Sequence, residues 1–70
     1  MPVAGDRVPV RWYCVRADYR PESATTPRYY YKSTGDIKYV RDWFLQHYPW
    51  LTVYDVMEVA EQDTKWAMRI

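Results

Sequence analysis

The sequence predicts a small α+β fold of order β-β-α-β-β, with one helix packed on one face of a mostly antiparallel four-stranded sheet. Three observations carry this. Side chains alternate between two sides through residues 8–16, and the tyrosine run at 29–31 reads as a second strand with Tyr30 opposite Tyr29 and Tyr31. A single apolar stripe recurs at helical period from Ile37 to Tyr48. Two further apolar runs follow Pro49, the second alternating to the end of the chain. Seventy residues hold at most one domain, so 1–70 is taken as one unit, with residues 1–7 as a loose start.

The first strand is expected after Pro9, which has no N–H to give to a ladder. Its alternation sets Val10, Trp12 and Cys14 on one side and Arg11, Tyr13 and Val15 on the other. The stretch ADYRPESATTP reads as a loop of about ten residues, long for a hairpin connection and therefore a candidate for a role of its own. The second strand is RYYYK: Tyr29 and Tyr31 share the inner side, and Tyr30 points outward between Arg28 and Lys32. Ser33 then opens S-T-G-D as a helix N-cap, with Asp36 three positions on. Ile37, Val40, Phe44 and Tyr48 stripe the helix, and Pro49 ends it.

Residues 51–60 admit a second helix, because Thr52-Val-Tyr-Asp55 imitates a capping box. The density of β-branched and aromatic residues in WLTVYDV favours a strand instead. Asp55 shares parity with Leu51, Val53, Met57 and Val59, and a bulge at Tyr54–Asp55 would remove that conflict. The tail sets Trp66, Met68 and Ile70 against Lys65, Ala67 and Arg69, and EQDT between the two runs reads as a hairpin turn. The inner face is then Val10, Trp12, Tyr29, Tyr31, Leu51, Val53, Val59, Trp66 and Met68 against Ile37, Val40 and Phe44.

Composition narrows the function classes. Thirteen aromatics supply the bulk that so short a chain needs for a core. Cys14 is the lone cysteine, so no disulfide framework exists, and a reducing, cytoplasmic setting is expected. The longest stretch without formal charge, WFLQHYPWLTVY, is too short to span a membrane, and MPVAGDR lacks the apolar core of a signal peptide. Net charge is +1, with six Lys/Arg and three Asp/Glu in residues 1–32 and four against six in residues 33–70. A split this mild is ordinarily a mixed solvated surface, and its sharper alternative is a polar binding face.

Chemistry is constrained mainly by elimination. His47 and Cys14 are the distinctive candidates for nucleophilic catalysis, and no motif surrounds either. His47 is expected at the helix C-terminus, where the dipole favours its charged form, and Cys14 as a small buried hydrophobe. One His and one Cys do not make a zinc site, and Asp55, Glu58, Glu61 and Asp63 lack the spacing of a calcium loop. Two glycines form no phosphate cradle. No enzyme activity, cofactor or metal is expected.

What survives is a surface. The strand parities collect Arg11, Tyr13, Arg28, Tyr30, Lys32, Lys65 and Arg69 on the face away from the helix. Tyrosine offers rigid amphipathic contact area, and arginine adds planar hydrogen bonding and stacking. An open sheet face is also polar and dotted with aromatics for ordinary reasons of strand propensity. The functional expectation is a non-enzymatic protein-binding module of accessory or inhibitor type, a size class that phages and mobile elements also use. Such a module binds through the open face, the 18–27 loop or an unpaired strand edge, or as a homodimer through an edge or through Trp43, Tyr48 or Trp50. The alternative is a single-stranded nucleic-acid binder that stacks bases on sheet tyrosines, although YYYK lacks the glycine-flanked aromatic motif of RNA-recognition sheets.

Overall fold

The computed structural model describes residues 8–61 and 66–70. The expected loose start at 1–7, most of the EQDT turn and Lys65 lie outside the described residues. Four strands and one helix follow in the expected order: β1 (Arg11–Asp18), β2 (Arg28–Ser33), α1 (Ile37–His47), β3 (Thr52–Val59) and β4 (Met68–Arg69). Residues 52–59 are strand, as their β-branched content indicated, and α1 lies across one face of the sheet.

The strand order is β3-β1-β2-β4. β1 pairs antiparallel with both β2 and β3, whereas β4 runs parallel to β2 through Tyr31↔Met68 and Lys32↔Arg69. The sheet is therefore mixed. β2 and β3 run in the same direction with β1 between them, a connection that needs a crossover element, and α1 supplies it. The expected β3–β4 hairpin does not form: β3 joins the free edge of β1, and Ile70 N–H donates to the Lys32 carbonyl at 2.9 Å.

The core lies between α1 and one face of the sheet. Tyr13, Val15 and Ala17 from β1, Tyr31 from β2 and Val56 from β3 pack there with Val40 and Phe44. This reverses the parity expected for β1. The physical reason is visible two residues further along. The Tyr13–Val15 row continues to Ala17, whereas the Trp12–Cys14 row continues to Arg16 and Asp18, which cannot line an apolar core. Tyr29 and Tyr31 face the helix as expected and pack on Phe44, Tyr29 tilted with ring centroids 5.4 Å apart and Tyr31 edge-on at 6.1 Å.

The remaining inner-face expectations divide. Leu51 and Val53 pack at the margin of the core. Val59 lies opposite Trp12 on the other face, Trp66 is largely exposed, and Met68 and Ile37 are half exposed. A register shift between Arg16 and Ala17 passes over Tyr54, so the chain bulges where Asp55 demanded it. Below the bulge Val53 faces in, and above it Asp55, Met57 and Val59 face out.

The helix start also differs from expectation. Asp36, not Ser33, is the N-cap, and its Oδ1 accepts from the Tyr39 N–H at 2.9 Å. Ser33 closes β2, fully buried, with its Oγ accepting from the Gly35 N–H at 2.9 Å. The two residues that spell a capping box thus belong to successive features, a tight turn and then a cap. At the other end, Tyr48 caps the helix through its N–H to the Phe44 carbonyl, and Pro49 follows.

Candidate functional site

With α1 on one side, the opposite face of the sheet is the surface that no described element covers. Its layout follows from the ladders, because register partners share a face. Across β3, β1, β2 and β4 the first row reads Val59, Trp12, Lys32, Arg69. The second reads Met57, Cys14, Tyr30, and the third Asp55, Arg16, Arg28. Apolar side chains hold the β3–β1 corner, and cations without an ion pair among the described residues hold the β2–β4 corner.

Of the expected site residues, Arg28, Tyr30, Lys32 and Arg69 occupy this face, with Arg28 and Arg69 exposed and Tyr30 and Lys32 partly so. Tyr13 and Arg11 do not. Tyr13 is 1% exposed in the core, and its hydroxyl donates to the Gly35 carbonyl at 2.7 Å. Arg11 shares the Tyr13 side and is exposed at the rim opposite Ser33. Both errors stem from the inverted β1 parity. Trp12, Met57 and Val59 take the places that sequence reasoning gave to Arg11 and Tyr13. The signal for them was the charge pair Arg16 and Asp18, which marks the row of β1 turned away from the apolar core.

Arg16 organises the end of the face. Its guanidinium donates to Asp55 at 2.7 Å and to Glu22 at 2.6 Å, which holds its pKa above the usual arginine value. The bulge thus places Asp55 opposite its counter-ion, and Glu22 binds the 19–27 loop to the same charge. That loop is further fastened at both ends. Asp18, nearly buried, accepts from the Tyr19 N–H at 2.8 Å and from Arg20 Nε at 3.0 Å. Ser23 and Thr26 close a turn through Ser23 N–H to Thr26 Oγ1 at 2.8 Å, and Tyr54 donates its hydroxyl to the Arg20 carbonyl. The long connection is a built structure.

Cys14 sits in the middle of the face between Met57 and Tyr30, 4% exposed. Burial raises its thiol pKa, with the Tyr30 side chain pulling weakly the other way. His47 lies at the end of α1, on the helix side of the sheet, stacked on Trp43 with centroids 3.9 Å apart. Cys14 and His47 therefore belong to opposite sides of the molecule. The helix end also gathers Tyr48 against Phe44 at 4.9 Å and an exposed Trp50 edge-on to Tyr48 at 5.8 Å. Among the described residues no cluster of His, Cys, Asp and Glu has metal-binding geometry, and no helix is long and apolar enough to cross a membrane.

No known family model, curated protein or solved structure matches the chain.

Proposed function

We propose that this chain is a non-enzymatic protein-binding module, of the accessory or inhibitor type that phages and mobile elements also carry, and that it takes its partner on the sheet face opposite α1. One observation carries the reading. Met57 and Tyr30 flank Cys14 from β3 and β2, Trp12 lies one row above on β1 as the diagonal neighbour of both, and Arg28, Lys32 and Arg69 run along one margin, all outside the core. An aromatic and methionine patch bordered by arginine is the composition of an interface centre and its surroundings. The backbone beneath it is a paired sheet, so binding orders side chains and little else. The separation of Cys14 from His47 supports the non-enzymatic part, since a thiol nucleophile needs its base within hydrogen-bond reach. A free, buried Cys14 suits the reducing cytoplasm.

The test is site-directed photo-crosslinking in the native host. A benzoylphenylalanine at position 30 is expected to give a discrete adduct, competed away by unlabelled wild-type protein. The same group at Lys38, on the exposed side of α1, is expected to give none. Equal labelling from both positions overturns the open-face reading. Single-stranded nucleic acid stands second, supported by Tyr30 lying between Arg28 and Lys32 with Arg69 alongside. Fluorescence anisotropy with a short oligo(dT) at two salt concentrations separates the two: binding that fades with salt favours the nucleic acid.

A further inference from the structure

The distribution of ion pairs on the open face specifies the partner further. Every carboxylate in its described part has a cation: Asp55 and Glu22 share Arg16, and Asp18 holds Arg20 at 3.0 Å. Arg28, Lys32 and Arg69 form no ion pair among the described residues. Three carboxylates thus meet two cations, and with Arg28, Lys32 and Arg69 added the described part of this face carries a net charge of +2.

Two of those cations are set against each other. Lys32 and Arg69 are register partners on parallel strands, with backbones about 4.8 Å apart. Arg28 faces Arg16 across the antiparallel β1 and β2, where Asp55 and Glu22 already offset the Arg16 charge. Like charges directly opposite one another are unfavourable in a sheet unless an anion lies between them. Along β2 the outward side chains are Arg28, Tyr30 and Lys32, which sets the two cationic positions roughly 13 Å apart with an aromatic ring midway.

We propose that the occupant of the open face is an acidic protein segment in extended conformation. It carries two carboxylates four residues apart with an apolar or aromatic side chain between them. This rests on the open-face reading above. An extended chain laid along β2 repeats the spacing of β2 itself. One carboxylate accepts hydrogen bonds from both Lys32 and Arg69, and the other pairs with Arg28. The central side chain lies over Tyr30 and beside Trp12, its diagonal neighbour. A single nucleic-acid strand would use the same cations but carries no apolar side chain to set against Trp12, so a protein segment fits more of the face.

The experiment is selection of a random dodecapeptide display library on immobilised full-length protein. Affinities of the enriched peptides are then measured for wild type, K32E/R69E, K32Q/R69Q and Y30A, with amide shifts mapped by NMR. The expected result is enrichment of acid-x-apolar-x-acid patterns and an affinity that falls several-fold between 50 and 300 mM salt. At least tenfold loss is expected in K32E/R69E, a smaller loss in K32Q/R69Q, and shifts centred on residues 12, 30, 32 and 69. Peptides that depend on Tyr30 but show no acidic preference and no response to K32E/R69E overturn the acidic assignment and leave the open face standing. Peptides that map elsewhere, or no enrichment, overturn both. A 12-nucleotide oligo(dT) bound more tightly than any selected peptide overturns the proposal in favour of a nucleic-acid ligand.

Discussion

The Tyr13 hydroxyl donates to the Gly35 carbonyl at 2.7 Å, which ties the middle of β1 to the turn that starts the helix. A side chain expected on the outer surface is therefore the largest fully buried one among the described residues. Tyr13→Phe removes this bond and leaves a carbonyl without its partner, so a loss of about 1–2 kcal/mol is expected. Tyr13→Ala also opens a cavity and is expected to cost about 3–5 kcal/mol, enough to unfold a chain this short. Tyr30→Ala, on the other face and partly exposed, is expected to cost under about 1.5 kcal/mol. Urea unfolding of the three variants checks the assignment, and equal losses at positions 13 and 30 contradict it.

Gly35 is required for space, since its φ is not positive. A Cβ there would lie 2.4 to 2.8 Å from ring and Cβ atoms of Tyr39, inside any real contact distance. Gly35→Ala is expected to destabilise by about 1–3 kcal/mol. The double variant Gly35→Ala/Tyr39→Ala should recover much of that loss, because the obstructing ring is then gone. Thermal melts of the two proteins decide the matter.

The start of the helix gives a paired comparison. Asp36→Ala removes the acceptor for the Tyr39 N–H and is expected to cost about 1 kcal/mol, with helical ellipticity reduced. Asp36→Asn should retain most of the stability. If Ser33 were the cap, the ellipticity loss would instead follow Ser33→Ala. Ser33 is buried and holds the Gly35 N–H, so its own replacement should lower stability without shortening α1.

Tyr31 supplies an alkaline signature. Burial first, and the neighbouring Tyr48 second, push its phenol up to about 12 from the ordinary tyrosine value of 10.0. The folded state then holds a proton that the unfolded state has lost, so the stabilisation is complete below pH 10 and declines as pH rises from about 10 towards 12. Spectrophotometric titration of the phenols should show a late-ionising group that Tyr31→Phe removes. The same variant should flatten the fall in melting temperature over that interval. A full complement of tyrosines ionising near pH 10 in the folded protein would contradict the assignment.

Cys14 is expected to resist thiol reagents in the folded protein, because it is both covered and raised in pKa. Its labelling by an aromatic disulfide should follow the unfolding curve in urea. Met57→Ala uncovers one flank of the thiol and should accelerate labelling under native conditions.

The elements were legible because each depends on local pattern. The stripe of Ile37, Val40, Phe44 and Tyr48, the alternation around Tyr30 and the β-branched run at 52–59 all determine backbone state through near neighbours. Asp55 even disclosed the bulge, since a carboxylate on an apolar row needs either a partner or a register change, and it has both. Face assignment in β1 was harder. Trp12 and Tyr13 compete as neighbours of similar bulk, and the choice falls to Ala17 and Asp18, which a shorter strand omits. The parallel seat of β4 beside β2 was not legible, because it rests on a pairing between residues 31–32 and 68–69 with the whole helix and β3 between them. Of the candidate site, the β2 row and Arg69 could be read, whereas Trp12, Met57 and Val59 required the ladder.

The position of β1 at the centre of the sheet has a kinetic counterpart. Residues 12–16 are bonded on both flanks, to β2 on one side and β3 on the other, while β3 and the two-residue β4 each have one neighbour. Release of the central amides to deuterium therefore demands that two separate seams part at once. Their exchange should report the opening of the entire molecule, with β4 surrendering its protons far earlier as an independently fraying margin.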